Sequence, residues 1–387
     1  MIYLDNGATS LPKPKSVERG MVWALNHLPS PGRGSSSGAD AAAELLFSLR
    51  MEAAAQFRCQ PEQVVLTTSC THGLNIAIKS LAGRGDRVVV SCMEHNAVMR
   101  PLYVIGADIH VAGSKLFDSQ QLLEELERLL TPDTKLCVMT HVSNVFGWRL
   151  PIEEAAELCK KRGIPFVLDA AQSAGCLDIH MEELGAAFIA MPGHKGLLGP
   201  QGTGLLLCGS DTKTLMEGGT GSISRQMEMP EFLPDRLEPG THNMPGAAGL
   251  LAGLRTVRQL GTDEILRRER ELMQYTAEKL QKIPGIHTYR GKPQTGVLSF
   301  VTEGADCVLF GEELSRRWDI ALRCGLHCAP LAHETAGTLD TGTIRVSFGP
   351  ENTEKDADIL ADAVELLRKE QKMPKGHSRI PCPVKIL

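Results

Sequence analysis

From Val64 to Cys208 the chain alternates short, β-branched apolar runs with stretches of helical periodicity, and this alternation restricts the fold more than any other feature. Val64–Thr67, Arg87–Ser91, Ile109–Val111, Leu136–Thr140, Pro165–Leu168, Phe188–Ala190 and Gly204–Cys208 read as strands. Leu74–Leu81, Ser119–Leu130 and Ile152–Arg162 read as helices between them, and Ala39–Arg58 as a helix before them. Strands that are apolar throughout, joined through helices by short connections, predict an α/β protein with a mostly parallel sheet covered on both faces. In such sheets ligands sit at the carboxyl ends of the strands.

A second region begins near Pro245. Ala247–Leu260 and Thr262–Lys282 read as long helices, Val297–Thr302 and Ile344–Phe348 as strands, and Cys307–Trp318 and Thr353–Lys372 as further helices. The expected division is a large domain at 15–245, a smaller α+β domain at 246–373 together with segment 1–14, and a flexible tail at 374–387. The segment Ser30–Gly38 reads as a loop in which Arg33 meets either solvent or an anion.

Composition narrows the function classes. A formal net charge of −5 gives no electrostatic reason to expect nucleic acid or an anionic membrane. No apolar run approaches the length of a membrane span. The first residues lack the basic start and apolar stretch of a signal peptide. Eleven scattered cysteines then suggest reduced thiols and a cytoplasmic protein.

The residues with chemistry to offer fall at predicted strand ends. Asp169 closes one strand and is followed by Ala170-Ala171-Gln172-Ser173-Ala174-Gly175, small residues that leave room for a flat ring. Lys195 follows the next strand within Pro192-Gly193-His194-Lys195-Gly196. A lysine desolvated there has a lowered pKa and a nucleophilic amine. The pair is either a plain salt bridge or the two anchors of pyridoxal phosphate, the amine for its aldehyde and the acid for its ring nitrogen. Ser69-Cys70-Thr71-His72-Gly73, between a strand and a helix, offers either simple capping or a phosphate site.

Taken together, Leu168-Asp169-Ala170-Ala171-Gln172, Gly193-His194-Lys195, His141-Val142-Ser143-Asn144, Glu94-His95-Asn96 and Glu238-Pro239-Gly240-Thr241-His242-Asn243 resemble class V aminotransferase-fold enzymes. The resemblance is greatest to the cysteine desulfurase and selenocysteine lyase family, and runs from Tyr3-Leu4-Asp5-Asn6 to the helix ending near Lys372. It implies the pyridoxal phosphate-dependent transferase fold of the aspartate aminotransferase type (fold type I), with a large domain built on a seven-stranded sheet. It implies that Lys195 is the Schiff-base lysine, Asp169 the ring-nitrogen partner and His95 the stacking ring. Asn144 and Gln172 bind the ring hydroxyl side, and Cys70, Thr71 and His194 line the phosphate. Thr241 reaches the phosphate of the other subunit of a homodimer. Two positions depart from the family pattern: Pro192 stands where a hydroxyl residue is common, and Cys70 where threonine is common.

Arg323-Cys324-Gly325-Leu326-His327-Cys328-Ala329-Pro330 is the second site. Cys328 lies in a glycine- and proline-bearing loop with Arg323 and His327 as neighbours of positive character, which favours a thiolate. A zinc site of Cys324, His327, Cys328 and His333 is the less favoured reading, because no second ligand pair has standard spacing; no metal is expected. The resemblance makes Cys328 the nucleophile that takes sulfur. Arg345, in an otherwise apolar strand, either pairs with an acid of the last helix or, as the resemblance implies, clamps a substrate carboxylate together with Asn144. The implied activity converts L-cysteine to L-alanine and a persulfide on Cys328, which is handed to an acceptor protein. L-Selenocysteine as substrate, another reaction on the same fold, and a silent binding scaffold are the rival readings.

Overall fold

The computed structural model describes residues 1–31 and 36–372. Arg33 and the tail 374–387, with Cys382, lie outside the described residues.

The chain opens with β1 (Ile2–Tyr3), α1 (Lys15–His27) and α2 (Ser37–Phe57). There follow β2 (Val64–Thr67), α3 (Cys70–Leu81), β3 (Arg87–Ser91), α4 (Asn96–Ile105), β4 (Asp108–Ala112), α5 (Ser119–Leu129) and β5 (Thr134–Thr140). Then come α6 (Ile152–Lys161), β6 (Phe166–Asp169), α7 (Met181–Leu184), β7 (Phe188–Pro192) and β8 (Gly204–Cys208). Seven of these strands form one sheet in the order β2-β8-β7-β6-β5-β3-β4. Every pair is parallel except those of β8, which runs antiparallel to both β2 and β7.

The apolar strands explain the layers. Side chains alternate across a sheet, so a strand apolar throughout feeds two cores. Val88, Val90, Leu136, Val138, Val167 and Phe188 face α3 and α4 on one side. Val89, Cys137, Met139, Phe166, Leu168 and Ile189 face α5, α6 and the longer helices on the other. Each fully buried valine or leucine contributes about 1.5–3 kcal/mol, so polar residues along these strands are confined to their ends.

Helix α8 (Met244–Leu260) leads into the second unit, which comprises α9 (Thr262–Leu280), β9 (Ile286–Tyr289), β10 (Val297–Thr302) and α10 (Cys307–Trp318). It continues with β11 (Ile320–Ala321), β12 (Arg323–Gly325), α11 (Pro330–Ala336), β13 (Thr343–Ser347) and α12 (Glu354–Lys372). Its antiparallel sheet has the order β12-β13-β10-β9, and β1 pairs in parallel with β11. Leu4 therefore joins the core of this unit with Leu298, Phe300, Phe310 and Val346. The expected domain boundary at 245 and 246 falls in the first turn of α8. The buried face of that helix, including Met244, Leu250 and Leu254, belongs to the core of the large sheet.

Helices α1, α4 and α11 stand where the sequence reads as connections. Helix α4 carries Pro101 inside its ten residues, and α11 has only seven. Neither offers the long uninterrupted periodicity that marks a helix in sequence.

Candidate active site

The sheet register builds the site. In the paired strands Thr140 of β5 lies opposite Asp169 of β6, and Asp169 opposite Ala190 of β7. Strand β7 continues through Pro192 into Gly193-His194-Lys195, which returns Lys195 towards Asp169. The turn requires close backbone approach. A Cβ on Gly193 would lie 2.0 Å from Thr203 Oγ1, and Gly175, at φ +100°, would bring one within 2.2 Å of the Gly196 carbonyl.

Asp169, Lys195, His95, Asn144, Gln172, Cys70, Thr71 and His194 together line a cavity of about 100 Å³, with Thr140 and Pro192. Burial lowers the pKa of Lys195 from the ordinary lysine value; Asp169 opposes this, while Arg345 and Arg323 reinforce it. Asp169 is buried, and its Oδ1 accepts the Ala171 N–H at 2.9 Å and the Cys70 thiol at 3.4 Å. The Cys70 side chain is thus turned to the acid, although Cys70 also begins α3, whose first turn with Thr71 edges the cavity.

His95 caps α4. Its Nδ1 accepts the Ala97 N–H at 3.0 Å, which leaves the proton of the neutral ring on Nε2. Burial lowers its pKa, with Asp169 opposing. The Asn144 amide donates to the His327 carbonyl at 2.7 Å, while its Oδ1 is buried and unpartnered. Gln172 Nε2 donates to the Gly7 carbonyl at 2.9 Å. Burial brings His194 down to about 4, and its Nδ1 is likewise buried without a partner.

Cys328 stands beyond His95. It is exposed, and Arg323 Nη2 lies 3.9 Å from its Sγ. The Asn96 N–H donates to the Cys328 carbonyl at 2.8 Å, tying the loop to the start of α4. A groove of about 340 Å³ runs from Cys328 past His95, Thr71, Asn75, Lys79 and Arg100. His95 borders both this groove and the inner cavity. His327 and Cys328 both adopt left-handed backbone angles, φ 50° and 58°. Such angles are uncommon outside glycine and cluster at functional loops.

Two readings offered by the sequence, one for His327 and one for Arg345, need correction. His327 is no cation beside Cys328: burial, then Arg345, drive its pKa to about 2, so Arg323 is the positive neighbour. Arg345 does not pair with the last helix. Its Nη2 donates to Asp5 Oδ1 and its Nη1 to the Asn144 carbonyl at 3.0 Å, and it lies 1% exposed. Thr241 is exposed and is not among the residues lining the cavity of its own chain. Among the described residues no cluster suited to a metal is present.

The sequence reading assigned no role to Glu94, Lys13 or Asp5. Glu94 is buried and accepts the Thr140 N–H at 2.7 Å and the Ser91 hydroxyl, with its pKa raised to about 8 by burial. Lys13 Nζ donates to the His194 carbonyl at 2.7 Å, and burial lowers its pKa to about 8. Glu94 carried a signal: a lone acid directly after the largely apolar run Val88 to Met93 must find partners when folded.

Comparison with known proteins identifies the family and the fold. The family model of aminotransferase class-V matches residues 2–360. The chain belongs to the aminotransferase class-V family. A protein of Methanothermobacter thermautotrophicus named probable cysteine desulfurase is 30% identical, the match covering 94% of each chain. One of the same name from Xylella fastidiosa is 32% identical over 95% of this chain and 91% of that one. The apo structure of cysteine desulfurase from Thermococcus onnurineus NA1 superposes with a TM-score of 0.86 at 28% identity, covering 95% of this chain and 94% of that one. The cysteine desulfurase CsdA of Escherichia coli gives 0.82 at 26% identity, with 95% of each chain covered. The class-V chain described here therefore has the fold type I architecture expected from its motifs.

Proposed function

We propose that the protein is a pyridoxal phosphate-dependent cysteine desulfurase. One observation carries the reading: a desolvated lysine, Lys195, shares a cavity with a buried acid, Asp169, and that cavity borders through His95 on a groove holding the exposed thiol of Cys328. The names borne by the class-V relatives support it.

The residues present fit the cofactor. The buried, unpartnered Asn144 Oδ1 and His194 Nδ1 are polar atoms that ask for a ligand. Asp169 would hold the ring nitrogen, His95 the ring face, Asn144 and Gln172 the ring hydroxyl, and the start of α3 with Thr71 and His194 the phosphate. Bound pyridoxal phosphate supplies an electron sink for chemistry at a substrate α-carbon. Neither Pro192 nor the inward-turned Cys70 offers the phosphate a hydroxyl, so the helix start and Thr71 carry that load.

The chain's own groups do the rest. Lys195 is biased towards its neutral amine by burial, as a proton acceptor at the α-carbon requires. Arg345, with Asn144, is assigned to the substrate carboxylate. The Cys328 thiolate attacks the substrate sulfur; the substrate Cβ–S bond breaks, an S–S bond forms on Cys328, and the released carbon skeleton takes up a proton to become L-alanine. The groove beyond Cys328 suits an acceptor protein that collects the persulfide. We place the enzyme in the cytoplasm, a setting that suits ten described cysteines that are all free. Thr241, exposed on its own chain, is assigned to the phosphate of a second copy in a homodimer.

The test is an assay of the purified protein with L-cysteine and, separately, L-selenocysteine, measuring alanine, sulfide and selenide. Alanine formation from L-cysteine that disappears in Cys328→Ala supports the reading. Alanine formation that persists without the thiol overturns it, and turnover of L-selenocysteine alone reassigns the substrate.

A further inference from the structure

The guanidinium of Arg345 is already in use. It is 1% exposed, with Nη2 donating to Asp5 Oδ1, Nη1 donating to the Asn144 carbonyl, and Nε buried without a partner. Arg345 lines neither the 100 Å³ cavity nor the smaller cavity of about 50 Å³ behind Lys195. One layer separates it from both. Gly7 lies against the guanidinium, where a Cβ would come within 3.3 Å of Arg345 Cζ, and Gly7 lines the smaller cavity with Gln172 and Lys195. Asn144 closes the other side and lines the larger cavity.

A buried guanidinium left without an anion is strongly destabilising. Asp5 meets that need, and its carboxylate has the same charge and oxygen geometry as the carboxylate of an amino acid. We infer that Asp5 is a positioning residue that occupies Arg345 in the free enzyme and yields it to the substrate carboxylate. The exchange keeps the arginine paired in both states. It also makes substrate binding a competition, because each carboxylate must displace Asp5. The segment carrying Asp5 is anchored by backbone: the Asp5 carbonyl accepts the Ala8 N–H at 2.9 Å, and Asp5 bridges to Ser347. Side-chain rotation is therefore enough for release, with no need to move the strand. A half-buried acid, 19% exposed, has the room that the fully buried arginine lacks.

The inference rests on the assignment of Arg345 to the substrate carboxylate, and the test separates the two. Holoenzyme is titrated with L-alanine and with ethylamine, the same skeleton without its carboxylate, and KM and kcat are measured for L-cysteine. Asp5→Asn is expected to tighten L-alanine and lower KM roughly tenfold, the scale of one charge-assisted contact, with kcat and ethylamine binding unchanged. Arg345→Lys is expected to weaken L-alanine and leave ethylamine alone. If Arg345→Lys does not change L-alanine binding, the assignment of the arginine fails. If Arg345→Lys weakens it but Asp5→Asn leaves it equal or weaker, Arg345 keeps its role and the competition by Asp5 is overturned. Should Asp5→Asn not fold, a structure of the wild-type holoenzyme with L-alanine decides. A ligand carboxylate on Arg345 with Asp5 swung away supports exchange, and Asp5 still on Arg345 overturns it.

Discussion

The thiol of Cys70 donates to the carboxylate of Asp169 at 3.4 Å, from the first residue of α3 to the last of β6. Burial and the nearby Asp169 raise the pKa of Cys70 well above that of a free thiol, so it stays protonated and remains a donor. The contact helps to hold the acid that, in the function proposed above, would face the ring of pyridoxal phosphate. Cys70→Ala removes that donor and is expected to loosen pyridoxal phosphate several-fold, about 1 kcal/mol. Cys70→Ser keeps a hydroxyl in place and should lose less. Titration of the apoprotein, followed by cofactor absorbance, checks the order wild type, serine, alanine.

Of the ten described cysteines, eight are buried, Cys324 is half-buried and Cys328 is exposed. Burial raises the thiol pKa of Cys59, Cys92 and Cys324 to about 11, 12 and 12. Alkylation depends on thiolate and access. Brief treatment of the native protein with iodoacetamide should therefore label Cys328 well ahead of the other described cysteines, and Cys328→Ala should remove that fast phase. Peptide mapping reads the result and separates it from any labelling of Cys382.

How much of this was written in the sequence depends on separation along the chain. Asp169 and Lys195 are legible because each follows an apolar strand, and parallel neighbours place their ends together. The seven-stranded sheet follows from the same pattern. The reversal of β8 does not, since an apolar strand reads alike in either direction. The Asp5–Arg345 pair joins residues 340 apart, and nothing local to either names its partner. His327 reads as a positive neighbour of Cys328 because burial, which neutralises it, is a property of the packed loop.

Burial of His327 and Glu94 gives stability an opposite pH dependence at the two positions. His327 has a folded pKa of about 2 against an ordinary 6.5, so below pH 6.5 the unfolded chain binds a proton that the folded one refuses. Stability should fall as pH drops, at about 1.4 kcal/mol per pH unit for this one group once it is fully engaged. Glu94 has a folded pKa of about 8 against 4.5, so the folded state keeps a proton that the unfolded chain has lost. Its contribution is present below pH 4.5 and disappears as pH rises towards 8. Urea unfolding between pH 5 and 8 is expected to show a shallower acid slope in His327→Gln. Glu94→Gln should flatten the decline on the alkaline side, because the amide keeps the acceptor for Thr140 and never ionises.

The turn that presents Lys195 has no room for a side chain at Gly193. A Cβ there would overlap Thr203 Oγ1 at 2.0 Å and touch Leu250 Cδ1 at 3.0 Å. The Thr203 hydroxyl is fixed in turn by donating to the Pro200 carbonyl at 2.7 Å, and the Gly193 N–H donates to the Thr203 carbonyl at 2.8 Å. Gly193→Ala must push β7 away from the 200–203 loop, at a cost on the order of 1–3 kcal/mol for overpacking. The displacement falls two residues before Lys195, so cofactor loading should drop along with the unfolding midpoint. Thr203→Ala removes the overlapping hydroxyl, and the double variant is expected to recover part of both losses. Thermal unfolding and cofactor absorbance of the three variants test this coupling, and strictly additive effects would show that Gly193 and Thr203 act independently.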